Sequence, residues 1–228
     1  MTIFGNGYVA NLLKNSSINF SFDIYAKGIS NSVDASQKEY KRDIKLLEEL
    51  IKKQDQLFYY ISSSDLSNKK HDKTDYLKHK KNCESLVLST PYARVIRISQ
   101  IVGNLNSETA LLNYFKNKIL LKSKINIHYG KIRYPISSED VIKGFEILNE
   151  IGDKARIIDF RPKFGIKAEN IINLMMQELK ISTDIEYSFF NSNEEEWEIN
   201  ILNLYNHFPK LDDEFYCKKI IKNYIKQN

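Results

Sequence analysis

Strand-like and helical segments alternate from the first residue to about residue 103, and this alternation constrains the fold more than any other feature. Apolar runs at 1–4, 19–26, 57–61 and 95–102 are separated by amphipathic stretches. In the helix predicted over residues 33–54, for example, the leucines at 46, 47 and 50 fall on one face. Short connections between alternating strands and helices are typical of a parallel sheet covered by helices. We therefore predict an α/β fold with a doubly wound parallel sheet.

The remainder of the chain shows a less regular pattern. Helices are predicted over residues 107–121, 137–151, 168–179 and 212–225, with short strand-like pieces between them. We therefore predict two parts, residues 1–104 as the sheet-forming part and residues 105–228 as a smaller mixed α/β part packed on it in one compact unit.

Composition and charge narrow the range of partners. The 228 residues carry a net charge of +5 without a basic tail or an arginine cluster, so nucleic acid is not an expected partner. No apolar run approaches the ~20 residues of a membrane-spanning helix, and we expect neither a secretory signal nor a membrane partner. Cys83 and Cys217 lack metal or redox spacing, which predicts reduced thiols, no metal and a cytoplasmic location.

The first strand-like run leads directly into a glycine-rich turn, and a helix pattern follows. Glycines permit a tight turn and a close approach of the backbone to a phosphate, whose charge is attracted by the free N–H groups of a helix start. The alternative is a plain strand-to-helix turn. The pattern predicts a Rossmann-like dinucleotide site formed by Gly5, Asn6, Gly7, Tyr8, Val9 and Ala10.

A second candidate loop follows the run 19–26. Ala26, Lys27 and Gly28 would lie at the carboxyl end of the sheet, where ligands bind in open α/β folds. No Asp or Glu stands at the end of this run, so the usual acidic partner of an adenosine ribose is missing.

The stretch 58–80 carries the residue types of a proton-transfer site. An apolar run ends in serines at 62–64, and a polar loop leads to a helix with Tyr76 and Lys80. A spacing of four puts both side chains on one helix face, where an ammonium lowers the pKa of a tyrosine from its ordinary value near ~10. A neighbouring serine hydroxyl could hydrogen-bond the substrate oxygen. The same spacing recurs at Tyr114 and Lys118, so an amphipathic helix with a solvated lysine is the alternative.

Taken in order, these motifs resemble the extended short-chain dehydrogenase/reductase family, which contains nucleotide-sugar epimerases, dehydratases and reductases. The resemblance rests on the glycine turn, the loop at 26–32, the serines at 62–64, Tyr-x-x-x-Lys, the strand at 96–103 and the segment 133–141. It covers roughly residues 1–150, while the C-terminal part fits loosely.

The resemblance implies a role for each matching residue. Tyr76 would transfer the proton, Lys80 would lower its pKa and contact the nicotinamide ribose, and Ser63 would be the catalytic serine. The residues expected at the NAD or NADP cofactor are Gly5, Asn6, Gly7, Tyr8, Val9, Ala10, Ala26, Lys27, Gly28 and Ser62. Those expected at the nucleotide-sugar substrate are Ser64, Arg97, Gln100 and Arg133.

The two arginines have different implied tasks. A guanidinium suits bidentate contacts with phosphate, and Arg133 matches the family arginine that grips the substrate diphosphate. Arg97 matches a strand arginine whose role in the family is partly structural. An arginine in a buried strand is either a snorkelling edge residue or a buried anchor for a carboxylate or phosphate, so both roles stay open for Arg97.

The chain also departs from the family pattern. Its glycine motif lacks one spacer residue relative to Gly-x-x-Gly-x-x-Gly. Ala10 and Ala26 are only 16 residues apart, which leaves no room for the second and third strands of the cofactor half. We therefore predict a shortened member with a truncated sheet and a poorly enclosed adenosine end.

Two functions from different classes remain. The first is an NAD(P)-dependent oxidoreductase or epimerase acting on a nucleotide-linked sugar in surface-polysaccharide biosynthesis. Dehydration is disfavoured, because the Asp-Glu pair that dehydratases carry reads Ser64-Asp65 here. The second is a non-catalytic member that acts as a ligand-binding or partner subunit. The resemblance also implies a homodimer formed through the helices at 33–54 and 76–90.

Overall fold

The secondary structure follows the predicted alternation of strands and helices. The structure is a computed structural model and describes residues 1–29, 35–69, 74–103, 110–151, 155–189 and 202–227. In chain order the elements are β1 (Ile3–Phe4), α1 (Tyr8–Lys14), β2 (Asp23–Tyr25), α2 (Gln37–Ile51), β3 (Phe58–Ser63), α3 (Asp75–Leu88), β4 (Ala93–Ile98), β5 (Ile101–Val102), α4 (Leu111–Leu120), β6 (Ile125–Tyr129), β7 (Ile132–Arg133), β8 (Ile136–Ser137), α5 (Ser138–Ile151), β9 (Ile157–Phe160), β10 (Ile166–Lys167), α6 (Ala168–Leu179), β11 (Ile185–Phe189), β12 (Leu202–Asn203) and α7 (Tyr216–Gln227), with short 3-10 turns at Ser64–Ser67, Leu204–Asn206 and Pro209–Asp212.

Capping residues explain where the two helices nearest the candidate site begin. The Ser36 side chain accepts a hydrogen bond from the backbone N–H of Glu39, whose carboxylate accepts one from the backbone of Ser36 in return, so two donors at the start of α2 are satisfied reciprocally. The Thr74 side chain caps α3 by accepting from the backbone N–H of Leu77. Both helices therefore start from local sequence signals.

The main sheet has six strands in the order β1-β2-β3-β4-β9-β12, and every neighbouring pair is parallel. Alternating side chains of β3 show that helices cover both faces. Tyr60 belongs to an apolar cluster formed with α2 and α3. Tyr59 points to the opposite face, where its ring centroid lies 4.4 Å from that of Phe22. Phe20 contacts both Phe22 and Phe145 of α5, so α5 covers this second face. The predicted doubly wound α/β fold is confirmed.

Strand β1 lies at one edge of the main sheet and pairs only with β2 among the described strands. In the usual doubly wound order, 3-2-1-4-5-6, two further strands lie beyond the first one. Here the connection between α1 and β2 spans only residues 15–22, which cannot hold them. The prediction that the second and third strands are missing is therefore confirmed.

The chain divides into two compact units that are discontinuous in sequence. The first unit comprises Met1–Ile98, Ile142–Phe160 and Glu196–Asn203, and the second comprises Ser99–Val141, Arg161–Glu195 and Leu204–Asn228. This division differs from the predicted boundary at residue 104, because residues 142–160 return to the main sheet. The strand predicted over 95–102 likewise divides: β4 ends at Ile98, and β5 pairs with β8 in the second unit.

The second unit is built from short sheets and helices. Strands β6 and β11 pair in parallel, and β7 and β10 pair antiparallel. Helix α6 buries one apolar face, formed by Ile171, Ile172 and Met175. In the part of the chain that the structure describes, no helix combines the length and apolar character needed to cross a membrane.

Replacing Gly5 with alanine is expected to destabilise the first unit. Gly5 has a φ of +126°, and a Cβ there would lie 2.6 Å from the carbonyl oxygen of Ala26. Because both the backbone conformation and the contact are unfavourable for alanine, we expect Gly5→Ala to lower the free energy of unfolding by about 2 kcal/mol or more. Urea unfolding measures this change.

Gly7→Ala is the matched control. Gly7 has an extended backbone, with φ −74° and ψ 178°, and no heavy atom lies within 4 Å of the position that its Cβ would take. Its unfolding free energy should therefore stay within about 0.5 kcal/mol of the original chain. Equal stability of the two variants would contradict the described contact between Gly5 and Ala26.

Candidate active site

The candidate site begins at the carboxyl end of β3, where the strand runs into the 3-10 turn. The side chain of Ser63 accepts a hydrogen bond of 3.3 Å from the backbone N–H of Asp65 and lies close enough to the phenol of Tyr76 to act on its pKa. The carboxyl end of a parallel strand is the usual place for ligand-binding groups in open α/β sheets. The position of Ser63 therefore suits a group that contacts a substrate.

Helix α3 carries the other two residues predicted to be catalytic. Tyr76 lies in its first turn and Lys80 one turn later, with the Lys80 Nζ 5.9 Å from the centre of the Tyr76 ring. Because the Ser63 side chain lies near the Tyr76 phenol, the structure brings all three predicted residues together. Tyr114 and Lys118 of α4 show the same 5.9 Å separation, so this geometry alone does not distinguish the two pairs.

The surroundings of Tyr76 act on its pKa in the direction opposite to the expected one. Burial, followed by the charge of Asp65 and the neighbouring Tyr40, raises the pKa of the Tyr76 phenol above its ordinary value, while the nearby Ser63 side chain lowers it. The expected lowering by Lys80 is not among these effects. The phenol stays protonated at neutral pH, because burial disfavours the phenolate.

Lys80 is one of the most deeply placed charged residues, with a side chain only 4% exposed. Its Nζ donates to the hydroxyl of Tyr60 at 3.3 Å and to the carbonyl oxygen of Ile61 at 3.4 Å. Burial lowers the pKa of this amine, and the charge of Asp43 partly offsets the effect. The contacts of Lys80 are thus mainly with neutral oxygens, and its charge is easier to change than that of a lysine in water.

The glycine turn and the loop after β2 lie side by side at this end of the sheet. The backbone N–H of Ala26 donates to the carbonyl oxygen of Phe4 at 2.8 Å, and Gly5 approaches Ala26 closely. Gly28 lies against Lys80, since a Cβ at Gly28 would be 2.9 Å from the Lys80 Nζ. The predicted cofactor loops therefore adjoin the predicted catalytic lysine.

The turn itself offers an open backbone and a cation. Gly7 precedes α1, and nothing lies within 4 Å of where its Cβ would be. Lys14, at the end of α1, donates to the carbonyl oxygen of Gly5 at 2.6 Å and to the Asn6 side chain at 3.4 Å. Ala10 is fully buried, which suits the third position of the motif, where the helix packs closely on the strand. Lys14 was not among the predicted site residues, although its position at the end of the first helix is visible in the sequence.

The predicted substrate residues Ser64 and Arg97 face the interior of the first unit. The hydroxyl of Ser64 donates to Asp159 of β9, and both residues are buried. Arg97 forms a two-pronged ion pair with Glu84 of α3, at 3.0 and 2.7 Å, and also donates to Ser67. This arrangement favours the structural role for Arg97 over the anchoring of a ligand.

The remaining predicted residues divide between the two units. Ser62 is buried in the first unit, and its hydroxyl has no hydrogen-bond partner among the residues described. Gln100 and Arg133 belong to the second unit. The carbonyl oxygen of Gln100 accepts from the backbone N–H of Ile136, and Arg133 pairs with Ile166 between β7 and β10.

One buried polar cluster beside Lys80 was not predicted. His79 and Cys83 stand one turn apart on α3, and the His79 Nε2 lies 2.9 Å from the Oδ2 of Asp43 on α2. Burial raises the pKa of the Cys83 thiol to about 11. The sequence signal that could have indicated this cluster is the position of Asp43, which shares the buried face of α2 with Tyr40 and Leu47. A carboxylate on a buried helix face needs a partner.

Comparison with known proteins shows a fold and no close relative. The sequence matches no protein-family model and no curated protein. Among solved structures, a dTDP-glucose 4,6-dehydratase from Bacillus anthracis in complex with NAD is similar with a TM-score of 0.67 and 12% identity, over 90% of this chain and 71% of that one. RMD from Pseudomonas aeruginosa complexed with NADPH is similar with a TM-score of 0.70 and 13% identity, over 99% of this chain and 98% of that one. A UDP-glucose 4-epimerase from Thermotoga maritima with UDP-glucose is similar with a TM-score of 0.65 and 17% identity, over 90% of this chain and 77% of that one.

The ion pair between Arg97 and Glu84 provides a stability test of the structural role. Glu84→Gln leaves a buried guanidinium without its carboxylate, so we expect the free energy of unfolding to fall by about 3 kcal/mol. Glu49→Gln, on the exposed face of α2, is the control and should change it by less than about 0.5 kcal/mol. Urea unfolding compares the two variants. An unchanged stability of Glu84→Gln would reopen the ligand-anchoring role of Arg97.

Proposed function

We propose that this chain binds NAD or NADP and transfers a hydride at a sugar carbon of a nucleotide-linked sugar. The observation that carries the proposal is the grouping of Ser63, Tyr76 and Lys80 at the carboxyl end of a parallel sheet. The solved structures of similar fold support it, since they include complexes with NAD, NADPH and UDP-glucose.

The glycine turn fits a dinucleotide. The backbone at Gly7 is open to close approach, because no atom occupies the space of a Cβ there. Lys14 holds its ammonium against the backbone of Gly5 and the side chain of Asn6, where it would favour a phosphate. The loop Ala26–Gly28 would contact the adenosine end, and Lys80 would contact the nicotinamide ribose. The bound cofactor would supply or accept the hydride.

Tyr76 would handle the proton. In the reducing direction, the sugar carbonyl carbon gains the hydride and the phenol of Tyr76 donates its proton to the carbonyl oxygen; in the oxidising direction both steps reverse. The raised pKa of Tyr76 keeps the phenol protonated, which suits the donor role. Ser63 would hydrogen-bond the same sugar oxygen, since its side chain lies near the Tyr76 phenol.

This geometry favours reduction or epimerisation over dehydration. Ser64 is buried against Asp159, so a serine stands at the first position of the acid pair that dehydratases carry, and Asp65 supplies a carboxylate at the second position alone. The identity of the sugar and the role in surface-polysaccharide biosynthesis stay predictions.

A non-catalytic ligand-binding or partner subunit is the second candidate. It is favoured by the position of β1 at the sheet edge, which leaves an adenosine less enclosed, and by the contacts of Lys80 with Tyr60 and Ile61. In this alternative the three residues would stabilise the fold without transferring a proton.

The homodimer also stays a prediction. The exposed residues of α2 and α3 are all polar or charged, whereas the core of a stable interface is depleted of charged residues. These two helix faces therefore give the predicted four-helix contact little apolar area. Sedimentation at micromolar concentration distinguishes monomer from dimer.

Titration with NADH and NADPH tests the cofactor site. We expect saturable binding, followed by nicotinamide fluorescence. In Gly7→Val we expect at least a tenfold loss of affinity, because the valine side chain would fill the space that the cofactor's pyrophosphate needs. The extended backbone at Gly7 accepts valine, and thermal unfolding verifies that the variant is folded. Unchanged affinity in the variant would place the dinucleotide elsewhere. No binding by the folded original chain would favour the non-catalytic candidate.

Tyr76→Phe tests the proton-transfer role. In a screen of nucleotide-linked sugars with the cofactor that binds, followed by nicotinamide absorbance, turnover should fall by roughly 10²-fold or more. Tyr114→Phe removes the hydroxyl from the other tyrosine–lysine pair and should leave turnover unchanged. Cofactor affinity should be similar in both variants. Full activity of Tyr76→Phe would exclude the proposed role.

A further inference from the structure

The buried polar cluster between α2 and α3 consists of Asp43, His79 and Cys83, and all three side chains lie within the interior. His79 and Cys83 are four residues apart, so they point from the same face of α3. Asp43 reaches them from α2. One carboxylate oxygen, one imidazole nitrogen and one sulfur lie within 4.8 Å of one another.

The separations within the cluster are close to those of a metal's ligands, although the His79–Asp43 pair stands at hydrogen-bond distance and would have to widen around an ion. The His79 Nε2 lies 2.9 Å from the Asp43 Oδ2 and 3.6 Å from the Cys83 Sγ. Zinc bonds of ~2.0 Å to nitrogen and oxygen and ~2.3 Å to sulfur, at tetrahedral angles, separate ligand atoms by roughly 3.3–3.6 Å. Small side-chain shifts would therefore let all three atoms contact one ion.

The surroundings also explain what an ion would contribute. Cys83 belongs to the apolar cluster that includes Leu47 and Val87. Burying the Asp43 carboxylate beside this cluster costs free energy unless a cation or a hydrogen-bond donor pairs with it. The backbone N–H of Ile29 is a distant donor to Asp43, at 3.5 Å. Lys80 is the competing cation, since its Nζ and the Asp43 Oδ2 both adjoin Gly28.

We propose that Asp43, His79 and Cys83 form a transition-metal site, with Zn²⁺ as the preferred ion. The mixed oxygen, nitrogen and sulfur donors suit Zn²⁺ and Co²⁺ better than Mg²⁺ or Ca²⁺, which prefer oxygen alone. An aspartate and a thiolate together balance the charge of a divalent ion. The fourth coordination position would be taken by water or by a neighbouring side chain.

The site would join three segments of the first unit. It would link α2 to α3 and, through Asp43, the backbone at Ile29 in the loop after β2. Because α3 also carries Tyr76 and Lys80, an ion there would hold the candidate catalytic helix in place. The ion would be structural, and its binding does not depend on the proposed enzymatic function.

Cobalt titration of the whole chain, after removal of metals with a chelator, tests the site directly. Co²⁺ bound to a thiolate has a charge-transfer absorption that hexaaqua cobalt lacks. We expect this absorption to saturate at one ion per chain, to disappear when Zn²⁺ displaces Co²⁺, and to be accompanied by a higher thermal unfolding midpoint.

Variants identify the ligands. Cys83→Ser should abolish the thiolate absorption, and Asp43→Asn should weaken Co²⁺ binding at least tenfold. Cys217→Ser is the matched control, because Cys217 is the other buried free cysteine and lies in the second unit; its spectrum should equal that of the original chain.

Two results would overturn the proposal. The first is no thiolate absorption from the folded original chain. The cluster would then contain a buried Asp43–His79 hydrogen bond and no metal site. The second is an absorption that persists in Cys83→Ser and is lost in Cys217→Ser. If Cys83→Ser fails to fold, the spectrum of Cys217→Ser decides the matter, because Cys83 is then the one cysteine left in the chain.

Discussion

The parallel register of β3, β4 and β9 places three polar residues side by side within the main sheet. Ser62, Arg97 and Asp159 are register partners, and all three are buried. Because helices cover both faces of the sheet, water cannot satisfy these groups. Glu84 of α3 holds Arg97, and the hydroxyl of Ser64 contacts Asp159. Helix α3 is therefore fixed on the sheet by a buried ion pair as well as by apolar packing, and its position sets where the candidate catalytic residues stand.

Arg97 and Lys80 are both buried in the first unit, and their chemistry differs. Arg97 stays charged under all ordinary conditions and matches the fork of a carboxylate, so its contact with Glu84 suits a permanent structural link. Lys80 donates to the hydroxyl of Tyr60 and to the carbonyl oxygen of Ile61, and burial lowers its pKa. Its proton is therefore held less tightly, and a nearby ligand or ion can change its charge. Lys80, the cation whose charge can change, is therefore the one beside Tyr76.

The truncated edge of the sheet shapes the cofactor side of the site. With β1 outermost among the described strands, the glycine turn and the loop after β2 become direct neighbours, as the close approach of Gly5 and Ala26 shows. Among the described residues, the strand that follows β1 ends in Tyr25 and carries no acid at that end for a ribose. The cation that stands at this turn is Lys14. A dinucleotide here would depend more on its phosphates and its nicotinamide half than in a complete doubly wound sheet.

Local sequence patterns determined much of the fold. The alternation of strands and helices, the glycine turn, the missing strands and the bounds of α6 were all predictable, because turn chemistry and hydrophobic periodicity act over a few residues. The grouping of Tyr76 and Lys80 followed from their spacing on one helix. Tertiary structure alone decided that Ser64 turns inward to Asp159, 95 residues away, and that Asp43 meets α3. It also decided the burial that raises the pKa of Tyr76. Burial, register and long-range pairing depend on how separate elements pack, and no short stretch of sequence contains that information.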